Sequence, residues 1–457
     1  MKFSKVIIKY WNIILSFLLI ACPLPFLTDS WGKGLVIVFI IFIWNVLGYI
    51  RKDFLKSSLI TLLLTLPFNI TYQLPYEILG IQISGPFVEG IIVNYLIPTL
   101  SIVDLGVLFL LLSMFLQERI KLKWKGFSFL KIFTIFSIYL LLISLLNNSF
   151  LSFFNSLRYL FYVFTFYNVF KNKKHIFISE MLKYLLPISI VSVLIQGIIA
   201  FNQFQGGTSL GIFLLGESKV VSGMIGSSFL ELSDVLYLRG YGTFPHPNVF
   251  GGWLVFNVLF GWFLFDKYKK RKFLPIILMF ISSLVLILTF SRISFLVCAI
   301  IWFSFIVKNF LKCKRVKNFG FVSLVSERVV NLFTGGDASL NDRVGLMKSS
   351  FNIIKEHVLT GVGLGEFVSH MEDGVPRNSN GVLILQPVHN IFLLLISEIG
   401  LIGFGLFSTL LYFFVKNRKW SLRIIISLVS VFIISMFDHY LISLPQGLGV
   451  LFLILIL

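Results

Sequence analysis

The sequence predicts an all-α integral membrane protein with about 12–13 transmembrane helices and an outer loop that carries an amphipathic helix. Three observations lead there. Of the 457 residues, 57% are hydrophobic and only 13% are charged, where a soluble domain holds about 25% charged residues. Apolar runs long enough to span a bilayer recur along the whole chain. The 39 Lys and Arg outnumber the 20 Asp and Glu, and they are dealt out between those runs. On a soluble protein this excess would point to nucleic acid. Here basic clusters alternate with cation-poor loops, the positive-inside pattern of a polytopic protein, so no nucleic-acid partner is expected.

The spans read as 6–27, 34–50, 55–71, 100–117, 128–147, 151–170, 183–202, 246–265, 273–290, 293–308, 389–415, 421–437 and 441–457. The first begins near Lys2, Lys5 and Lys9, which places the N-terminus in the cytoplasm. It ends in Leu19–Cys22, which looks like a lipoprotein cleavage site but reads as the end of a first spanning helix. Basic groups at 51–52, 119–125, 171–174, 267–272, 308–317 and 416–419 fall on the same side. The loops 73–99, 203–245 and 358–388 fall outside. Residues 318–325 are too short to cross between an inner 308–317 and an outer 343–388. No internal repeat or soluble domain boundary is visible, so 1–457 is one membrane domain, with outer loops at 203–245 and 327–388. Cys22, Cys298 and Cys313 are scattered and form no disulfide framework or metal site.

Four stretches carry polar groups that are expensive near lipid. The first is Arg239 to Gly252. Pro245 and Pro247 hold the chain extended, and Asn248 is placed to cap the next helix. An ordered helix entry explains the Pro, Gly and Asn, and His246 sits among them, but it does not need Arg239. The second is Thr289–Arg292, in a tight outer turn. Ser291 precedes Arg292, which either snorkels at the interface or holds an anionic headgroup. The third runs from Ser339 to Phe367. Ser339 and Asp342 resemble a capping box. Val344, Met347, Phe351 and Ile354 share one stripe of a helix that lies at the outer interface or packs on the bundle. Arg343 stands in the first turn, where a cation is disfavoured unless an anion binds. Gly361, Gly363 and Gly365 form a turn rather than a nucleotide loop.

The fourth stretch is Gln386–Asn390, followed by Glu398 and Gly400. His389 is the candidate general base, being able to accept a proton at neutral pH, with a plain helix-entry histidine as the alternative. Asp438–Tyr440 either lines the site or is polar glue between helices. Asp104 and Arg158 are placed to pair. By the topology all four stretches lie on the outer face. Three arginines, a histidine and no acidic cage point to a diphosphate bound without a metal or cofactor.

The ordered set resembles the O-antigen ligase / O-antigen polymerase superfamily. It runs Arg-x-x-Gly-Thr-Phe-x-His-Pro-Asn from 239, Ser291–Arg292, Arg343 before a helix and glycine turn, and His389–Asn390 with Glu398 and Gly400. The motifs span about 239–400. The resemblance implies a multi-pass glycosyltransferase of the bacterial cytoplasmic (inner) membrane. It would move a saccharide from an undecaprenyl-diphosphate carrier to a glycan, lipid or protein acceptor at the outer face. It makes Arg239, Arg292 and Arg343 diphosphate binders and His389 the catalytic base, with His246, Asn248, Ser291, Asn390 and Asp438 in support. A transporter or flippase of lipid-linked glycans, or an inactive homologue, is the competing reading.

Overall fold

The computed structural model describes residues 22–24, 30–51, 53–75, 77–78, 81–82, 85–117, 119–120, 128–176, 181–224, 226–232, 235–267, 272–309, 338–371, 375–377, 381–416 and 418–457. The chain is an all-α membrane protein. Its helices are α1 (Trp31–Arg51), α2 (Phe54–Thr65), α3 (Ile102–Leu116), α4 (Phe129–Leu146), α5 (Phe150–Ile176), α6 (Met181–Gly206), α7 (Pro247–Lys267), α8 (Phe273–Ile287), α9 (Arg292–Asn309), α10 (Ala338–Glu356), α11 (Ile391–Val415), α12 (Leu422–Phe437), α13 (Tyr440–Ser443) and α14 (Pro445–Ile456). By length and composition α1, α4, α6, α7, α9 and α11 can each cross a membrane. The first predicted span and the crossing near 318–325 lie largely or wholly outside the described residues. The outer loops add small β pieces that hydropathy does not signal. Thr71–Gln73 pairs antiparallel with Thr99–Ser101, and Phe229–Leu232 with Val235–Leu238.

α7 is the axle of the bundle. All of its residues except Asn248, Asp266 and Lys267 are buried, as expected for a helix that is apolar all round. α6, α8, α9, α12 and α14 pack against it. Small residues permit the close approach that helices in lipid rely on. A Cβ on Gly252 would lie 1.9 Å from the Tyr440 hydroxyl, and one on Gly261 2.9 Å from the Pro275 carbonyl. At the Lys267 end, Asp266 takes Lys308 of α9 at 2.7 Å and Arg423 of α12 at 3.3 Å. The Asn248 end of α7 carries the site described below.

Three helices depart from the predicted spans: α2, expected over 55–71, stops at Thr65 before Pro67 and the strand at Thr71, and two others are broken. The span 441–457 is broken into α13 and α14, because Leu444 is extended and Pro445 stands at the first position of the next helix. α11 is broken at Gly400, whose φ of 61° and ψ of −178° only glycine adopts readily. The loop 358–363 fills the break. Val362 and Gly363 N–H donate to the Ser397 and Glu398 carbonyls at 3.0 and 2.7 Å, while Leu401 and Ile402 N–H donate back to Val358 and Leu359. The Tyr139 hydroxyl donates to the Ile399 carbonyl at 2.6 Å. Gly361 (φ 69°) packs on Glu398. The glycine turn is therefore a main-chain interlock with a broken helix.

α10 settles against α11 through Leu346 and Ile353. Of the predicted stripe, Val344, Met347 and Phe351 face outward, as an interfacial helix would present them. The helix starts at Ala338, and the Ser339 side chain of the expected capping box lies outside the described residues. Arg158 and Asp104 do pair, at 3.1 Å, with the Tyr162 hydroxyl donating to the same carboxylate.

The interlock predicts that Gly400→Ala costs at least about 2 kcal/mol, since it adds left-handed strain to an overlap with the Leu359 carbonyl. Thermal unfolding of the purified protein in detergent checks this; an unchanged midpoint would contradict it.

Candidate functional site

The stretch from Arg239 to His246 is held in shape by two buried glutamines of α6. Gln203 accepts from the Tyr241 and Gly242 N–H groups at 3.0 and 2.9 Å and donates to the Gly242 carbonyl. Gln196 accepts from Thr243 N–H at 2.9 Å and donates to its hydroxyl. Gly242 has φ 60°, and a Cβ there would meet Gln196 Oε1 at 2.5 Å. Gly240 N–H donates to the Leu288 carbonyl and Arg239 Nε to the Thr289 carbonyl, both at 2.7 Å. The first predicted stretch is thus bound to the second, the α8–α9 turn.

Asn248 then joins four segments. Its Oδ1 accepts from Arg239 Nη2 at 2.8 Å, and its Nδ2 donates to Asp438 Oδ2 at 2.8 Å. Asp438 also accepts from His439 N–H at 2.8 Å, and its Oδ1 lies 3.8 Å from His389 Nδ1. That last separation is an ion-pair distance, too long for a hydrogen bond. The expected capping role of Asn248 is corrected: His246 Nδ1 accepts the Asn248 N–H at 3.1 Å, which frees the Asn248 side chain to bridge. Asn390 caps α11 by accepting from Leu393 N–H at 3.0 Å, which fixes His389 at that helix entry. Ser291 donates to Ser294 in the first turn of α9.

Arg292 opens α9 and is exposed; Arg343 is half-buried and, contrary to the expected first turn, lies in the second turn of α10, because that helix already begins at Ala338. Both are near enough for their charges to act on Arg239. Burial lowers the Arg239 pKa most, to about 10, with Arg292 and Arg343 adding to the effect and Tyr241 and Asp438 opposing it. Like charges gathered in this way favour an anion between them.

The three histidines of the site differ in their freedom. His246 has both nitrogens engaged; with Nδ1 accepting, Nε2 carries the hydrogen and donates to Ser228 Oγ at 2.8 Å. His439 Nδ1 is 2.6 Å from Ser443 Oγ. His389 Nδ1 is buried and has no hydrogen-bond partner among the described residues. Burial lowers His246 to about 3, helped by Arg239, and lowers His439 to about 3, helped by His389. Asp438 would be raised by burial, yet His389, His439 and His246 hold it well below the usual carboxylate range. His389, Asp438 and His439 each offer a donor atom within 4.8 Å of the others, a grouping able to take a cation.

His246, His389, Asp438 and His439 line a cavity of about 760 Å³, whereas Arg239, Arg292 and Arg343 are not in its wall. Sequence reasoning missed much of that wall. Gln446 Nε2 donates to Oδ1 of Asn69, 377 residues away in the chain, at 2.7 Å. No spacing rule links such residues; a carboxamide directly after Pro445 at a span entry was the one available signal.

Acid should loosen this end of the molecule. The unfolded chain takes up protons on His246 and His439 near pH 6.5, while the folded chain resists until about 3. Their stabilising effect is therefore present above pH 6.5 and is lost as pH falls from 6.5 toward 3. The depressed carboxyl of Asp438 acts in the same direction at still lower pH. The melting midpoint in detergent should be flat above pH 7 and fall below 6.5, and His246→Gln should flatten that fall; a midpoint level from pH 7 to 4 would refute the account.

Residues 248–408 match the family model described as O-antigen ligase. No curated protein matches the chain. The matched stretch opens at Asn248, runs through Arg292, Arg343 and His389, and ends beyond the break at Gly400. Over that stretch the chain is similar to the O-antigen ligase family.

Proposed function

We propose that the protein transfers a saccharide from an undecaprenyl-diphosphate carrier to an acceptor hydroxyl, at the extracytoplasmic face of the bacterial cytoplasmic membrane, with inversion and without a metal. The observation that carries this reading is the connection of His389 to the arginines. Its imidazole faces a cavity beside Asp438, and Asp438 is tied through Asn248 to Arg239, which shares its field with Arg292 and Arg343.

Nδ1 of His389 is turned toward Asp438, so Nε2 is the nitrogen left to take a proton. It removes the hydrogen from the acceptor hydroxyl as that oxygen attacks the anomeric carbon. The bond from that carbon to the diphosphate oxygen breaks, and the lipid diphosphate leaves with the electron pair. Asp438 stabilises the imidazolium that forms, as in other carboxylate–histidine pairs. Arg239, Arg292 and Arg343 stabilise charge as it develops on the leaving group, most strongly where water is excluded. Asn248 sets the distance between the two halves of this machinery.

The grouping of His389, Asp438 and His439 favours a second reading, in which a divalent cation activates the acceptor. Transfer that survives EDTA supports the base reading; loss in EDTA with recovery on Zn²⁺ supports the second. A carrier role finds less support. Broken helices mark many transporters, but the main-chain groups freed at Gly400 are spent on the loop 358–363.

With purified protein and a lipid-linked donor, His389→Ala should lower turnover about 10²–10⁴-fold. Arg292→Lys keeps the charge but loses the fork and should lower it at least about tenfold. Asp438→Asn should reduce turnover while leaving donor binding near wild type. Wild-type turnover in His389→Ala would overturn the base assignment.

A further inference from the structure

The end of α7 opposite His389 gathers cations around its last aromatic rings. Lys308 lies over Trp262 at 5.5 Å, Arg423 and Lys267 over Phe263 at 4.5 and 6.0 Å, and Lys272 over Phe265 at 4.8 Å. Arg418, in the loop between α11 and α12, is near enough for the Arg423 charge to act on it. Against these cations, Asp266 is the one acidic side chain that the described residues of α7, α8, α9, α12 and that loop supply at this end. It is already within ion-pair distance of Lys308 and Arg423.

Both guanidiniums keep an unmet donor. Arg418 Nε donates to the Phe414 carbonyl at 2.8 Å, and the group lies 5.1 Å from the Phe170 ring. Its Nη2 is buried with no hydrogen-bond partner among the described residues. Arg423 is only 9% exposed. Its Nη1 donates to the Leu457 carbonyl at 3.3 Å, while Nε, 3.3 Å from Asp266, makes no hydrogen bond among the described residues. Buried donors without acceptors are costly. Arg423 also stands in the first turn of α12, where a helix disfavours a cation and favours an anion. Burial lowers the Arg418 pKa most, to about 10, with the Arg423 charge adding to the effect. What this corner lacks is an acceptor with several lone pairs, and a phosphate group is one.

The surroundings indicate the source of that phosphate. Asp266, Lys267 and Lys272 form an exposed rim. Trp420, between the two arginines in the chain, is exposed, as aromatic residues are at the level of lipid headgroups. From there Leu422, Ile425, Val429, Phe432 and Met436 make one exposed apolar stripe along α12. A ligand with a phosphate for the arginines and hydrocarbon for the stripe is a phospholipid; a free phosphate would use the first part alone.

We infer that the corner between α7 and the start of α12 is a binding site for an anionic phospholipid, in the leaflet opposite the proposed transfer site. Its phosphate lies against Arg418 and Arg423, and an acyl chain lies along α12.

Native mass spectrometry of the full-length protein in detergent, with phosphatidylglycerol, cardiolipin or phosphatidylcholine added, tests this. Each anionic lipid should be retained at least about fivefold more than phosphatidylcholine. Arg418→Gln should lower that retention about fivefold, the usual worth of one Lys or Arg at a membrane surface. Arg418 packs on Phe170 and its variant can fail to fold, so exposed Lys272→Gln is the second variant, expected to lower retention at least about threefold. Exposed Lys131, at the entry to α4, is the comparison, and Lys131→Gln should stay within about twofold of wild type. Equal retention of phosphatidylcholine, retention indifferent to both site changes, or an equal loss in Lys131→Gln would overturn the site. Displacement of the lipid by excess inorganic phosphate would assign the cations to a free anion and overturn the phospholipid.

Discussion

A main chain inside an apolar bundle must satisfy its own N–H and C=O groups, and the architecture of this protein follows from how it does so. Where helices are continuous the requirement is met locally. Where they are not, specific partners take over. The break at Gly400 frees the carbonyls of Ser397, Glu398 and Ile399, and the loop 358–363 and Tyr139 supply their donors. The non-helical stretch 241–243 is paired in the same way by Gln196 and Gln203 of α6. Both irregular segments border the cavity end of the molecule, so the chain departs from helix where chemistry is proposed and closes its hydrogen bonds around the departure.

This bonding is also what brings the polar groups together. Arg239 is delivered by a β hairpin, Asn248 by the head of α7, His389 by the entry to α11 and Asp438 by the end of α12. A charged group at such depth is tolerated only when paired or exposed to water. Asn248 couples cation to carboxylate at 2.8 Å on each side. At the far end of α7, Asp266 does comparable work for Lys308 and Arg423. The axle helix thus carries a polar knot at each end and an almost wholly buried apolar body between them.

The two knots differ in kind. Around Asp266 a single carboxylate sits within ion-pair distance of two cations, Lys308 and Arg423. Around Arg239 the charges of Arg292 and Arg343 act on one guanidinium, and the carboxylate that opposes them there, Asp438, is shared with histidines. That group of cations stands beside a cavity whose wall carries Asp342, Glu398 and Asp438 and, among the described residues, Arg158 as its one Lys or Arg.

The sequence by itself determined the membrane class and the positions of most of the helices, because hydropathy, charge and Pro-Gly punctuation are local properties. The helices described follow the predicted spans except that α2 stops at Thr65 and that Pro445 and Gly400 break two others. Tertiary structure decided which polar groups meet. That His246 caps α7 and Asn248 bridges, that Glu398 lies under a glycine loop, and that Asn69 faces Gln446 across 377 residues are matters of distance between remote segments. Those distances are set by helix packing and by the need to close every buried hydrogen bond, and neither leaves a periodic signal along the chain.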